Sequence, residues 1–337
     1  MRDRPPDASQ GHPTGGRTAV TATRAPRPTD LVALVTFDEE VRENLAITRD
    51  HLGVPNEAPR PLAAAIEQWL HLGRRMWISM GGREIRGIAT VRELSRTAWE
   101  IDTLVDAADA SDDVLADLLR QAGRAAAEAR VTRLQLRTPV DSRAARTAPR
   151  AGFRHVVEET LWMGNMPGMA DAPLEALPSP SAIREATAAD THARFQLYCH
   201  AFPVTAREAL AMTQDEWLEV EDTRWVDRGS PPTLVAESSG GVRAAMRSSS
   251  RGQFSLLAEP DSPGAGELLL RELRRRLVTG DVYGLIVSGS AAEVAARRAG
   301  LQPAGEYGLF CLRVSRPIRE EARDEAFARA GIAITGS

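Results

Sequence analysis

The sequence predicts an α/β (α+β) protein built from two copies of one unit, and three observations support this prediction. The length of 337 residues corresponds to two domains at roughly 150 residues each. A stretch rich in proline, glycine and small residues, about 164–181, divides the chain into parts of similar length. Each part then shows the same order of hydrophobic patterns, namely β-hairpin, strand, helix, strand, helix and strand.

The N-terminal stretch, like the stretch about 164–181, lacks the hydrophobic patterns of folded structure. Residues 1–30 are rich in Arg, Pro, Thr and Gly and lack the apolar segment of a signal peptide, so we expect a disordered leader. The predicted organisation is a leader over 1–30, a first unit over 31–165, a linker over 166–180, a second unit over 181–317 and a C-terminal tail over 318–337.

The first unit begins with helical patterns over Phe37–Leu52 and Pro61–Leu72. Alternating hydrophobic residues then flank Gly81 and Gly82, which predicts a β-hairpin because its tight turn needs a positive φ. The later patterns predict a strand over 99–105, a helix with an apolar stripe over 115–122, a strand near 134, an Ala-rich helix that ends at Gly152 and a strand over 159–163.

The second unit repeats this order. Helical patterns cover Ala188–Phe202 and roughly Gln214–Val220, and a second predicted hairpin turns at Gly240 and Gly241. The later patterns predict a strand over 254–258, a helix with a leucine stripe over 269–277, a strand near 286, a helix that ends at Gly300 and a strand over 307–314.

Composition excludes several classes of protein. Hydrophobic residues make up 43% and charged residues 26% of the chain, as in ordinary soluble proteins. The formal charge of -4 argues against nucleic acid as the main partner, and no apolar stretch approaches the roughly 20 residues that span a membrane. Two cysteines, Cys199 and Cys311, fit a reducing compartment, so we expect a cytoplasmic protein.

Three segments carry a resemblance to a known family: SAIREATAAD (181–190), RAGFRHVVEETLWM (150–163) and ARRAGLQPAGEYGLFCLRV (296–314). Together with the element order, they resemble the GNAT N-acetyltransferase superfamily in its tandem arrangement, over about residues 31–317. The resemblance implies two GNAT-like acyl-CoA N-acyltransferase domains, each a mixed, mostly antiparallel sheet flanked by helices.

The resemblance also implies a site for acetyl-CoA in the second unit. The family motif Q/R-x-x-G-x-G/A is matched at both glycines by Gly264 and Gly266, although Asp261 stands at its first position. Glycines there let the main chain approach the pyrophosphate at a helix start. The implied cofactor-binding residues are Leu256, Leu257, Ala258, Gly264, Ala265, Gly266 and Glu267; the alternative is a turn with an ordinary helix cap.

The corresponding loop of the first unit, 107–119, has no glycine and carries Asp109, Asp112 and Asp113. Acidic residues in a first helical turn complement the helix dipole but repel a pyrophosphate. The first domain is therefore interpreted as degenerate, retained to pack against the second or to shape its substrate cleft.

The family's usual proton donor is a tyrosine four residues before the helix-ending glycine, where this sequence has Ala148 and Ala296. The remaining catalytic candidates are Tyr307 and Glu237, with Tyr283 and Glu259 as further possibilities. The alternatives are that both tyrosines only pack on strands and that both glutamates are surface carboxylates. No metal is expected, because His192, Cys199 and His200 lack an evident further ligand.

The functional prediction is an acyl-CoA-dependent N-acyltransferase, with acetyl-CoA as cosubstrate and a small-molecule or peptide amine as acceptor. The second domain would act by direct attack in a ternary complex. The alternative is a catalytically inactive GNAT-like protein that binds a ligand or partner. The sequence leaves open the acceptor, the acyl chain length and the choice between monomer and homodimer.

Overall fold

A computed structural model describes residues 22–38, 43–48, 52, 61–69, 74–107, 112–165, 182–224, 231–238, 240–276 and 281–314. Residues 1–21 of the predicted leader, the predicted linker over 166–180, Leu277 of the predicted leucine stripe and the tail over 318–337 lie outside these residues.

The first half contains six strands and four helices among the described residues. They are β1 (Ala22–Arg24), α1 (Leu31–Asp38), α2 (Pro61–Trp69), β2 (Arg75–Gly81), β3 (Glu84–Ser95), β4 (Ala98–Asp106), α3 (Asp112–Glu128), β5 (Arg133–Pro139), α4 (Arg143–Thr147) and β6 (Arg154–Asn165). The predicted hairpin is confirmed, and Gly82 at its turn has a φ of 70°.

The second half repeats the order with one helix more in its described residues. Its elements are β7 (Ala182–Glu185), α5 (Thr191–Ala201), α6 (Val204–Leu210), α7 (Gln214–Arg224), β8 (Leu234–Ser238), β9 (Gly241–Ser248), β10 (Phe254–Ala258), α8 (Pro263–Arg276), β11 (Asp281–Val287), α9 (Ala291–Arg298) and β12 (Gln302–Arg313). No sequence pattern predicted α6, whereas β10 has the bounds that the sequence predicts.

Helix packing follows the predicted apolar stripes. Leu115, Leu118 and Leu119 of α3 are fully buried against the first sheet. Leu269 and Leu270 of α8 are likewise fully buried in a second core with β10 and α9. Because each stripe recurs every three or four residues, each helix turns one face to a sheet and leaves the other to solvent.

The two halves exchange their closing strands. The strand order is β1-β2-β3-β4-β5-β12-β6-β11 in one sheet and β10-β9-β8-β7 in the other. The last strand of the second half, β12, thus lies between β5 and β6 of the first, and β6 pairs with β11 of the second. The predicted arrangement has a separate sheet in each unit, whereas the structure joins strands of both units in one sheet.

The first unit begins before residue 31, where sequence analysis ends the disordered leader. Ala22–Arg24 form β1, which pairs with β2. Arg24 holds Asp30 through two hydrogen bonds of 2.6 and 2.8 Å, and Arg184 holds Asp190 in the same way at 2.7 Å each. The repeat therefore extends to residue 22, but β1 is too short and too polar to show an alternating pattern.

The predicted helix over Phe37–Leu52 is wrong for the described residues 43–48. Helix α1 ends at Asp38, and residues 44–48 are not helical. Their hydrogen bonds go to two strands of the first half, as described below, so tertiary contacts outweigh the local helical pattern.

Candidate functional site

The β-structure opens between β10 and β11. The two strands meet at one end, where the Tyr283 N–H donates to the Gly252 carbonyl at 3.1 Å and Gln253 forms a parallel bridge with Tyr283. Beyond this point, the ladders of the described strands pair β10 with β9 and β11 with β6. The facing edges of β10 and β11 thus leave main-chain groups for an extended ligand.

A narrow pocket occupies this gap. Both strands and the turn after β11 line its lower part, with Ser255, Leu256, Leu257, Leu285, Ile286, Val287 and Ser290. Helices α5, α6 and α7 and their connections form its roof, with Tyr198, Ala201, Phe202, Leu210, Ala211, Trp217, Val220 and Glu221. The pocket is mostly apolar with few polar groups, as small-molecule sites usually are.

Ser290 supplies an unused hydroxyl at this pocket. Its Oγ is buried and has no hydrogen-bond partner among the described residues. Ser290 is the N-cap residue of α9, yet its side chain makes no capping hydrogen bond. A buried hydroxyl without a partner is costly. Its position at the pocket therefore marks it as a group that a ligand would satisfy.

The structure brings the predicted cofactor-binding residues together at one end of the gap. Leu256, Leu257 and Ala258 lie on β10, and Gly264–Glu267 form the start of α8. Gly266 is a packing position as well, because a Cβ there would lie 3.0 Å from the Ala295 Cβ. Of the seven predicted residues, Leu256 and Leu257 line the pocket, and cofactor binding by this strand–loop–helix segment stays a prediction.

Glu267, near the start of α8, is paired within its own helix. Its carboxylate accepts a hydrogen bond from the Arg271 guanidinium at 2.7 Å. This ion pair compensates the charge of Glu267 within the helix. Asp261, in the loop before α8, is exposed.

Tyr307, one of the two catalytic candidates, shares an apolar cluster with a residue of the pocket lining. It belongs to an apolar cluster with Leu285, which lines the pocket, and with Tyr283. Burial raises the pKa of Tyr307, so its hydroxyl keeps its proton at neutral pH. Tyr307 itself lies outside the set of residues that line the pocket.

Glu237 lies on β8, opposite Ala182 of β7. Its carboxylate forms an ion pair with Arg184, the same arginine that holds Asp190. The structure thus places Glu237 in a charged cluster at the start of the second half, and outside the lining of the pocket.

A histidine–glutamate pair at the end of β10 was not predicted as a pair. His200 Nδ1 of α5 lies 3.0 Å from Glu259 Oε1. Glu259 continues the ladder, since its N–H donates to the Arg243 carbonyl at 2.8 Å. Because side chains alternate along a strand, Glu259 shares a face with Leu257. The helical pattern around His200 gave no sign of this contact, which depends on tertiary structure.

The corresponding gap in the first half is filled by the chain itself. Strands β4 and β5 pair over three residues of each strand, from Ala98 opposite Arg133 onward, and then separate. Asn44, fully buried, donates from Nδ2 to the Asp102 carbonyl at 3.0 Å and accepts from the Leu104 N–H at 2.9 Å.

The same segment also reaches β5, where the Ile47 N–H donates to the Arg137 carbonyl at 2.8 Å. Residues 44–48 therefore bridge the separated strands of the first half. Asp109 of the loop after β4 lies outside the described residues, and Asp112 and Asp113 begin α3, where they interact with Arg150.

The roof of the pocket rests on the first half. Gln135 Nε2 of β5 donates to the Ala209 carbonyl of α6 at 3.0 Å. Arg133 of β5 bonds Glu216 of α7 at 2.8 Å. Burial alone would raise the pKa of Glu216, but its hydrogen bonds to Arg133 and to the Met212 N–H lower it below the usual range. The first half thus holds the helices that cover the second half's pocket.

No protein-family model matches the sequence, and no curated protein matches it. Among solved structures, the fold is similar to a GCN5-related N-acetyltransferase from Sphaerobacter thermophilus, at 17% identity over 88% of this chain and 97% of that chain, with a TM-score of 0.51. A tandem GNAT protein from the clavulanic acid biosynthesis pathway aligns at 11% identity over 89% of this chain and 100% of that chain, with a TM-score of 0.48.

The chain therefore has the GNAT fold, which confirms the predicted fold class. Within the described part of the chain, no helix is long and apolar enough to cross a membrane. The described side chains also include no group of three His, Cys, Asp or Glu placed to hold a metal ion.

Proposed function

We propose that this chain is an acyl-CoA-dependent N-acyltransferase that moves an acetyl group from acetyl-CoA to an amine in its second half. The observation that carries the proposal is the open gap between β10 and β11. It combines unpaired strand edges with the unpartnered Ser290 hydroxyl and lies beside the start of α8. An acyl-CoA is extended, with a thioester, amide groups and a pyrophosphate in sequence, and so has complementary parts.

The residues of the gap fit this cosubstrate. Main-chain groups of Leu256, Leu257 and Ala258 would pair with the amide groups of the pantetheine arm, as a neighbouring strand would. Main-chain N–H groups of Gly264, Ala265, Gly266 and Glu267 would receive the pyrophosphate, because a helix N-terminus leaves N–H groups unpaired and carries a partial positive charge.

Direct attack by the amine, without an acyl-cysteine intermediate, agrees with the low reactivity expected for Cys311. Acetyl-CoA supplies the activated acyl thioester when bound. The amine nitrogen bonds to the carbonyl carbon and loses a proton, while the carbon–sulfur bond breaks and the sulfur gains a proton. Burial raises the pKa of Cys311 to about 11, so this cysteine stays a thiol at neutral pH and makes a poor nucleophile.

Three groups of the chain are assigned to the protons of this reaction. Glu259, at the end of β10, would accept the proton of the amine, and His200, half exposed, would position it and connect it to solvent. Tyr307 keeps its own proton and remains the candidate that would protonate the departing sulfur. Glu237, held by Arg184, has no role in this assignment.

A GNAT-like protein that binds a ligand without turnover is the second candidate. It is favoured by Ala148 and Ala296, which stand where the usual tyrosine of the family would supply a proton.

Calorimetry of the full chain with acetyl-CoA tests the proposal. We expect binding that weakens about 5-fold in Ser290→Ala, the value of one neutral hydrogen bond. Ser288→Ala is the control, because Ser288 is exposed, lies outside the pocket and bonds Thr160. No binding at millimolar acetyl-CoA would contradict the use of this cosubstrate by either candidate. If acetyl-CoA binds but no amine causes release of the free thiol, the second candidate is favoured.

A further inference from the structure

The pocket between β10 and β11 encloses little free space. Its volume is about 30 Å³. A water-sized group needs roughly 10–15 Å³ of such space, so the pocket has room for about two of them. An acetyl group brings two, its carbonyl oxygen and its methyl group. Every further methylene of a longer acyl chain would need space that the pocket does not have.

Packed apolar clusters stand behind the walls of this space. Tyr198, Leu210 and Val287 belong to one cluster. Leu256 belongs to the core beneath α8, and Leu285 belongs to a third cluster with Tyr307. These five lining residues are at most 8% exposed. Because close-packed side chains have little room to move, a group larger than the free space displaces one of the clusters at a cost in packing.

Tyr198 is fixed in the roof by a polar contact as well. Its hydroxyl donates to the Ala211 carbonyl at 3.0 Å, and its ring is stacked on Trp217 with centroids 5.9 Å apart. Turning the Tyr198 side chain away would break this hydrogen bond and open the roof cluster. The roof therefore does not yield by a simple side-chain rotation.

Val287 lies on the same turn as the unused Ser290 hydroxyl. The Ser290 N–H donates to the Val287 carbonyl at 3.2 Å, and both residues line the pocket. A serine hydroxyl is a suitable donor to a carbonyl oxygen. An acyl carbonyl bound by Ser290 would place the rest of the acyl group against Val287 and the roof.

On the basis of the proposed function, we infer that the chain selects its cosubstrate by acyl size. The pocket takes an acetyl group and rejects acyl chains of four or more carbons, and Val287 and Leu210 are the side chains that set this limit. A longer acyl chain would have to displace the roof cluster before its carbonyl reached Ser290. Val287 and Leu210 thus determine specificity and take no part in the transfer itself.

Calorimetry of the full chain with acetyl-CoA, butyryl-CoA and hexanoyl-CoA tests this inference without an acceptor. We expect butyryl-CoA to bind about 10-fold more weakly than acetyl-CoA, and hexanoyl-CoA to bind more weakly still. Val287→Ala removes two methyl groups, which matches the two methylenes that butyryl adds to acetyl. This variant should therefore bring the affinity for butyryl-CoA to within about 2-fold of that for acetyl-CoA. Leu210→Ala, in the roof, should shift the same ratio in the same direction.

Val282→Ala is the matched control, because Val282 is fully buried on the same strand in the core beneath α8 and lies outside the pocket lining. It should lower the stability and leave the ratio of the affinities unchanged. Equal affinity of the wild type for hexanoyl-CoA and acetyl-CoA would overturn the inference and leave the proposed function intact. A ratio unchanged in both Val287→Ala and Leu210→Ala would do the same. If none of the three thioesters binds, the proposed function fails and this inference fails with it.

Discussion

Gly252 determines where β10 and β11 separate, and its replacement by alanine tests how far the pocket depends on this junction. Gly252 has a φ of 86°, and a Cβ there would lie 2.2 Å from the main-chain oxygen of Asp281. Its own carbonyl accepts the N–H of Tyr283 at 3.1 Å. Gly252→Ala must therefore push the turn before β10 away from the start of β11.

The expected loss of unfolding free energy in Gly252→Ala has two contributions, and a substitution at a second glycine separates them. Gly240 has a similar φ of 82°, but a Cβ there would meet nothing within 4 Å. Gly240→Ala should cost about 1 kcal/mol of unfolding free energy, since only the left-handed conformation is unfavourable. Gly252→Ala adds an overlap with main-chain atoms that cannot rotate away, so we expect a total of about 3 kcal/mol.

Urea denaturation gives the two unfolding free energies, and calorimetry gives the affinity for acetyl-CoA. Gly252→Ala should lower the unfolding free energy and the affinity for acetyl-CoA. Gly240→Ala, in a hairpin turn outside the pocket lining, should lower only the unfolding free energy. Equal destabilisation by the two substitutions would refute the overlap argument. Normal acetyl-CoA affinity in a destabilised Gly252→Ala would refute the link between this junction and the pocket.

Two further substitutions probe the first half. Asn44→Ala removes side-chain hydrogen bonds to the Asp102 carbonyl and the Leu104 N–H in a fully buried position, so urea denaturation should show a loss of about 3 kcal/mol with unchanged acetyl-CoA affinity. Arg133→Met removes the partner of Glu216 and should cost about 2 kcal/mol at neutral pH. Because the pair lowers the Glu216 pKa from its ordinary 4.5, the wild-type advantage is present above that value and is lost as the pH falls through the lower folded pKa. A deficit that does not shrink in acid would contradict this, as would a loss of acetyl-CoA affinity in Asn44→Ala.

Local patterns predicted those parts of the fold that depend on local structure. The hairpin turn at Gly240 follows from a glycine pair between alternating strands, and the burial of Leu269 and Leu270 follows from helical spacing. The segment 44–48 was mistaken for helix because Asn44 satisfies its amide on β4, far away in sequence. A propensity is weak compared with several buried hydrogen bonds.

The candidate site likewise has a part that local sequence patterns predict and a part that depends on tertiary contacts. Residues 256–267 are contiguous, so a glycine pattern between a strand and a helix was enough to predict them as cofactor-binding residues. The roof is not contiguous with them: Trp217 and Glu221 reach the pocket because α7 is attached to β5 through Arg133. No spacing within the sequence reports that attachment.

The exchange of closing strands makes the two halves dependent on each other, and dividing the chain tests this. In a fragment of residues 181–337, β12 would lose its partners β5 and β6, and β11 would lose β6. Helices α6 and α7 would also lose the β5 side chains that hold them. Long unpaired strand edges are sites of aggregation, so we expect this fragment to be insoluble when expressed alone.

Coexpression with residues 1–165 should restore a soluble complex that binds acetyl-CoA, because every missing strand partner is then available. The first half would thus act as a structural part of the second half's pocket, although its own gap is filled by residues 44–48. A soluble, monomeric fragment of residues 181–337 with full acetyl-CoA affinity would contradict this dependence. Since β12 supplies its ladder groups to both β5 and β6, we expect the halves to unfold in one transition when the intact chain is denatured.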